Sequence, residues 1–134
     1  MYLTRQEIFN NTVSRLRTIG ASVDDTGQCL YRGPNGNMCA IGALIPDNEY
    51  DMRMEDSAVK NLLKNKTAAG ENFYCPTLIM YEFLFGKQFL ISLQNLHDTY
   101  ARLFCAELEN DWEKTRFFIK FAVQWNLTPP PYSK

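Results

Sequence analysis

The chain has 134 residues and a mass of 15.5 kDa, with 46% hydrophobic, 13% aromatic and 22% charged residues. That length fits one domain, and that apolar share excludes a disordered chain. With 14 basic against 15 acidic side chains the net charge is -1, which argues against nucleic acid as a general ligand, because neutralising phosphates takes a cationic surplus.

No apolar run approaches the length that spans a bilayer, so no membrane partner is expected. The N-terminus, Met1-Tyr2-Leu3-Thr4-Arg5, reaches charge at once and carries no apolar export region. The expectation is a protein of the cytoplasm whose four cysteines, Cys29, Cys39, Cys75 and Cys105, stay thiols.

Residues 4–20 predict a helix with both ends marked. Thr4 and Glu7 have capping-box spacing, Phe9, Val13 and Leu16 fall on one face flanked by Ile8 and Ile19, and Gly20 suits a left-handed stop. A loop over 21–27 follows. Two short runs, Gln28-Cys29-Leu30-Tyr31-Arg32 and Met38-Cys39-Ala40-Ile41, then flank Gly33-Pro34-Asn35-Gly36-Asn37, in which Pro34 presets its φ and Gly36 can turn left-handed. That pattern predicts a β-hairpin near residues 28–41. The path from Ala40 to Ile45 reads equally as strand or helix.

Residues 46–56 read as an acidic loop. Asp56 or Ser57 suits the cap of a helix to about Lys66, with Val59, Leu62 and Leu63 inward and Ala69-Gly70 as its breaker. Pro76 and Gly86 bracket a buried helix over 76–85, although Leu78-Ile79-Met80-Tyr81 is also compatible with a strand. Residues 87–106 carry the cleanest helical period: Phe89, Leu93, Leu96, Tyr100 and Leu103 form one stripe, and Leu90, His97 and Phe104 a neighbouring row. Asn110 and Glu113 repeat the capping-box spacing ahead of a last helix to about Leu127, rich in Trp112, Phe117, Phe118, Phe121 and Trp125. The whole reads as an α+β fold: one mostly helical domain over 1–128, with about five helices and one hairpin, and a Pro-rich tail over 129–134.

Chemistry concentrates between Cys29 and Asp47. Cys39 is a candidate nucleophile and His97, the only histidine, its candidate base. Consecutive helical side chains diverge by about 100°, which sets Asp98 aside as the orienter of His97 and leaves a carboxylate such as Asp47. Against this, cysteine and histidine are common packing residues beside apolar stripes. Zinc is disfavoured, because the closest of Cys29, Cys39, Cys75 and Cys105 stand ten positions apart and structural zinc sites use tighter spacing. A Cys29–Cys39 disulfide is disfavoured too, since in the predicted hairpin Cys29 lies opposite Ala40 or Ile41. No metal or cofactor is expected.

From Asp24 to Asp56 there are seven acids against two bases, Arg32 and Arg53, and from Asp98 to Lys114 five acids against two bases. An acidic surface of that kind mimics nucleic acid or docks on a basic partner face, or is simply solvated.

The Tyr31-Arg32-Gly33-Pro34-Asn35-Gly36 turn and the Cys39-Ala40-Ile41-Gly42-Ala43-Leu44-Ile45-Pro46-Asp47 run, read together with Tyr50 to Glu55 and the later Leu93-Gln94-Asn95-Leu96-His97-Asp98, resemble a group of small phage and prophage proteins of unassigned function. The resemblance covers most of the chain and implies a bacterial host cytoplasm, but no reaction. Together these readings favour a non-enzymatic phage-encoded protein that inhibits or redirects a host protein, an anti-phage defence component included. The binding residues would be Tyr31, Arg32, Asn35, Asp47, Glu49 and Asp51. The alternatives are a Cys-His hydrolase or transferase using Cys39 and His97, and a sponge for a small nucleotide signal using Tyr31 and Arg32. A homo-oligomer stays open.

Overall fold

The computed structural model describes residues 2–64, 70, 72, 74–103 and 111–131. Among them lie five α-helices: α1 (Arg5–Thr18), α2 (Val59–Leu62), α3 (Pro76–Phe85), α4 (Lys87–Leu103) and α5 (Asp111–Gln124). No helix among the described residues is long and apolar enough to cross a membrane.

The helix ends follow their local chemistry. Thr4 Oγ1 accepts the Glu7 N–H at 3.1 Å and Glu7 Oε1 accepts the Thr4 N–H at 2.9 Å, closing the capping box of α1. Gly20 takes φ 94° beyond its end and Gly86 takes φ 90° after α3. The predicted cap Asn110, the row residue Phe104, Cys105, Lys66 and the breaker Ala69 lie outside the described residues.

α1, α4 and α5 share an aromatic core. Phe9 stacks on Phe121 at 5.4 Å, Tyr100 stacks on Phe118 at 5.5 Å, and Phe89 meets Trp125 edge-on at 5.3 Å. Phe9, Phe89 and Phe118 are wholly buried, as are Leu90 and Leu93. Each such side chain contributes about 2–3 kcal/mol by leaving water, and edge-on or offset ring pairs add to that. The chain after α5 returns along α1. Gln6 clamps the backbone of Thr128 with two hydrogen bonds of 3.0 and 2.7 Å, and Arg17 donates to the Pro131 carbonyl at 2.9 Å.

Two expectations are corrected here. No β-strand exists among the described residues, so the fold is helical rather than α+β, and the hairpin near 28–41 is absent. Its first arm pairs backward instead of forward. Val23 and Cys29 form an isolated bridge, with Asp24 N–H to the Gln28 carbonyl at 2.8 Å and Leu30 N–H to the Ser22 carbonyl at 2.9 Å. Asp24 Oδ1 closes that turn by accepting from Thr26 N, Thr26 Oγ1 and Gln28 N. The second arm reaches the first only through a single Arg32–Met38 bridge around Pro34–Gly36. Donors of both arms are engaged elsewhere: the Tyr31 and Arg32 amides go to Glu55, and the Met38 amide goes to Asn37 Oδ1 at 2.8 Å. Residues 40–45 then close a tight 3-10 turn over Gly42–Leu44. The result is an irregular but ordered segment, residues 19–58, lying between α1 and α2.

The second correction concerns α3. Its span is as predicted, but only Leu78 and Tyr81 are buried, while Ile79, Met80, Phe83 and Leu84 face water. The helix expected to reach Lys66 is described only as the single turn of α2.

Candidate functional site

His97 sits on the inner side of α4, 1% exposed, because its row on that helix faces the irregular segment. Its Nε2 accepts the Ser22 backbone N–H at 2.9 Å, and its Nδ1 lies 3.0 Å from Asp98 Oδ1. A backbone amide can only donate, so Nε2 carries the lone pair and Nδ1 carries the proton that Asp98 receives. Asp98 therefore does orient His97, against the divergence expected of neighbouring helical positions. Nδ1 is attached next to the ring's link to the backbone, within reach of the short carboxylate one residue on. Asp47 plays no part in this; it pairs with Arg32.

Gln94, one turn earlier, donates from Nε2 to Asp98 Oδ1 at 3.0 Å and accepts the Ile41 amide on Oε1 at 3.3 Å. The Cys29 thiol lies beside Asp98, and burial together with that carboxylate pushes Cys29 up to about 12. The Cys29, His97 and Asp98 ligand atoms lie within 4.8 Å of one another. They do not suit a metal ion, because the His97 nitrogen on that side bears the proton and the other one is taken by Ser22. A cavity of about 220 Å³ adjoins this cluster, lined by Cys29, Glu55, Lys60, Gln94, Asn95 and Asp98 among others.

Cys39 is 0% exposed and its Sγ accepts the Gly42 amide at 3.3 Å. Burial pushes its thiol up to about 12, against the Gly42 hydrogen bond that acts the other way. Such a thiol is protonated at neutral pH and is a poor nucleophile. Cys75, at the start of α3, is raised to about 11 by burial and hydrogen-bonds Glu49 at 3.5 Å. Cys29, Cys39 and Cys75 are all free thiols.

The residues read as a binding surface divide between inside and outside. Tyr31 is buried, its hydroxyl donating to the Ser57 carbonyl at 2.6 Å. Its ring lines the cavity beside Cys29, which Arg32 does not, so the adjacent pair is split between two sides of the chain. The Arg32 guanidinium donates to the Ile45 carbonyl, stands 5.2 Å over the Tyr50 ring and pairs with Asp47 at 2.9 Å. Asp47 itself is 96% exposed. Asn35 occupies the tip of its turn at φ 59°, in solvent.

Glu49 and Asp51 are helix caps. Glu49 accepts from Thr77 N at 2.9 Å and Thr77 Oγ1 at 2.6 Å, supplying α3 with the cap that Cys75 lacks. Desolvation acts to raise the Glu49 carboxyl, but the Thr77 bonds outweigh it and hold it below its ordinary value. Asp51 caps the 3-10 turn Met52–Asp56 through the Arg53 amide at 2.9 Å and pairs with the Arg53 guanidinium at 2.8 Å, which lowers its carboxyl.

An acid outside the predicted binding residues also holds this segment. Glu55 accepts the Tyr31 amide at 2.8 Å on one oxygen and the Arg32 amide at 3.0 Å on the other, and the latter oxygen also takes the Tyr50 hydroxyl. Asn37 works in the same way, donating to the Gly20 and Ala21 carbonyls at 3.3 and 3.2 Å while accepting from Met38. Gly42 was also missed: a β-carbon there would stand 2.0 Å from the Tyr31 carbonyl oxygen. The one legible signal was Gln94 with Asp98, four apart on a helix and so on one face. The others bridge distant parts of the chain and leave no pattern in spacing.

No family model, curated protein or solved structure matches this chain.

Proposed function

We propose that the protein is a non-enzymatic binding protein of phage or prophage origin that inhibits or redirects a host protein, and that it meets that partner with the outer surface of residues 19–58. The observation that carries this reading is where the polar side chains of the region go. His97, Gln94, Glu55 and Asn37, buried or half-buried, each satisfy backbone amides or carbonyls of one long segment that lacks regular structure. Ordered segments of this length are uncommon and are characteristically functional. Fixing one in advance removes much of the ordering cost of binding.

The same observation disfavours the Cys-His enzyme. General-base catalysis requires a ring nitrogen free to take the thiol proton, and both nitrogens of His97 are engaged. The nucleotide-sponge reading loses its adjacent pair, since Tyr31 and Arg32 face different surroundings.

What the segment offers outward is Asn35, Asp47 and Met52, the last 80% exposed, with Asp25 and Asp56 also in solvent. That surface is acidic with two large apolar side chains, Met52 and, at its start, Ile19, which is 60% exposed, and suits a basic partner face. The test is affinity capture from host lysate with the wild-type chain beside Asp47→Lys and Met52→Glu, both exposed positions. Far-UV circular dichroism verifies that each variant keeps its fold, although Asp47→Lys gives up the Arg32 ion pair. A host protein retained by the wild type and lost with either variant supports the reading. Equal retention by all three removes this surface from it.

A further inference from the structure

We propose that the outward face of α3 pairs with the same face of a second copy, making the protein a two-fold symmetric dimer. α3 reads Pro-Thr-Leu-Ile-Met-Tyr-Glu-Phe-Leu-Phe over residues 76–85, with Glu82 its only charge. A helix apolar on every side is normally enclosed on every side. Here Leu78 and Tyr81 are buried in the protein, but Phe83 is 84%, Leu84 47%, Met80 38% and Ile79 37% exposed. At 3.6 residues per turn these four span an uncharged arc of about 140°, and Tyr74, which leads into the helix, is 72% exposed.

Area and pattern favour a second copy as the occupant. Taking about 200 Å² for a whole aromatic side chain and somewhat less for an aliphatic one, the five residues leave roughly 500 Å² in water. That is at the upper end of the largest patch on a typical monomer. Two copies would bury about 1,000 Å² between them, the threshold of a specific interface. The row is also self-complementary. A two-fold axis through its middle sets Ile79 against the other copy's Leu84, and Met80 against its Phe83, a favourable sulfur–aromatic contact. No charge lies within the arc to repel its symmetry mate. This face is separate from the surface assigned to the host partner, so the two proposals stand or fall independently.

Sedimentation velocity of the full chain over rising concentration tests the pairing, with Phe83→Glu and Met80→Glu as variants. Both side chains reach solvent, so the fold is retained, and far-UV circular dichroism verifies it. The wild type is expected to dimerise with concentration, and at least one substitution to weaken association by roughly thirty-fold or more, the range of an interface hot spot. A wild type that stays monomeric up to millimolar concentration overturns the proposal. A dimer that survives both substitutions overturns it as well.

Discussion

Several polar side chains of the region between α1 and α2 hold backbone, Asp24, Asn37 and Glu55 among them. Glu55 is the clearest case: two successive amides, of Tyr31 and Arg32, each bond one of its oxygens. Removing that carboxylate orphans both donors, and bonds to charged groups contribute about 1.5–3 kcal/mol apiece. Glu55→Ala is therefore expected to destabilise the protein by about 3 kcal/mol in urea unfolding, while the exposed neighbour Asp56→Ala changes it by less than about 0.5 kcal/mol. Equal effects would show that Glu55 is only another surface charge. None of this was legible at the residue level. Glu55 lies 23 and 24 positions from the amides it binds, and in the sequence it stands only among seven acids and at the end of the Tyr50–Glu55 stretch of the resemblance. His97 and Cys39 looked like reactants because reactive and structural residues are the same residue types. Only the Ser22 amide, 75 positions from His97, tells them apart.

At the scale of elements, legibility tracked the range of the forces involved. α1 and α4 follow from caps and from a stripe repeating every turn, both local. The hairpin failed because its arms have good turn chemistry but better offers elsewhere: Ser22–Asp24 for the first arm, Glu55 and Asn37 for both. The burial of α3 was inferred from composition, and composition cannot say whether the covering surface belongs to the same chain. Gly42 shows how tightly the irregular segment is folded on itself. Gly42→Ala would drive a methyl group into the Tyr31 backbone carbonyl, where nothing can swing aside, and is expected to cost about 3 kcal/mol or more. Gly36→Ala meets no atom within 4 Å and bears only its left-handed φ of +75°, a cost of about 1–2 kcal/mol. Comparable melting temperatures for the two variants would contradict this packing.

For the molecule as a whole, a helical scaffold with an aromatic core carries a long ordered loop, and α4 joins the two. One side of α4 supplies Phe89, Leu93 and Tyr100 to the core. The row beside it supplies Gln94, His97 and Asp98 to the loop. A half-buried thiol, a carboxylate and an imidazole in one place resemble an active site, and the direction of the hydrogen bonds makes them a fastening instead. The most direct test is the nitrogen NMR spectrum of the wild-type imidazole, read together with hydrogen exchange at the Ser22 amide. A protonated Nδ1, an unprotonated Nε2 and a strongly protected Ser22 amide are the predicted result. A proton on Nε2 with a freely exchanging Ser22 amide would contradict the account and return His97 to the candidates for chemistry.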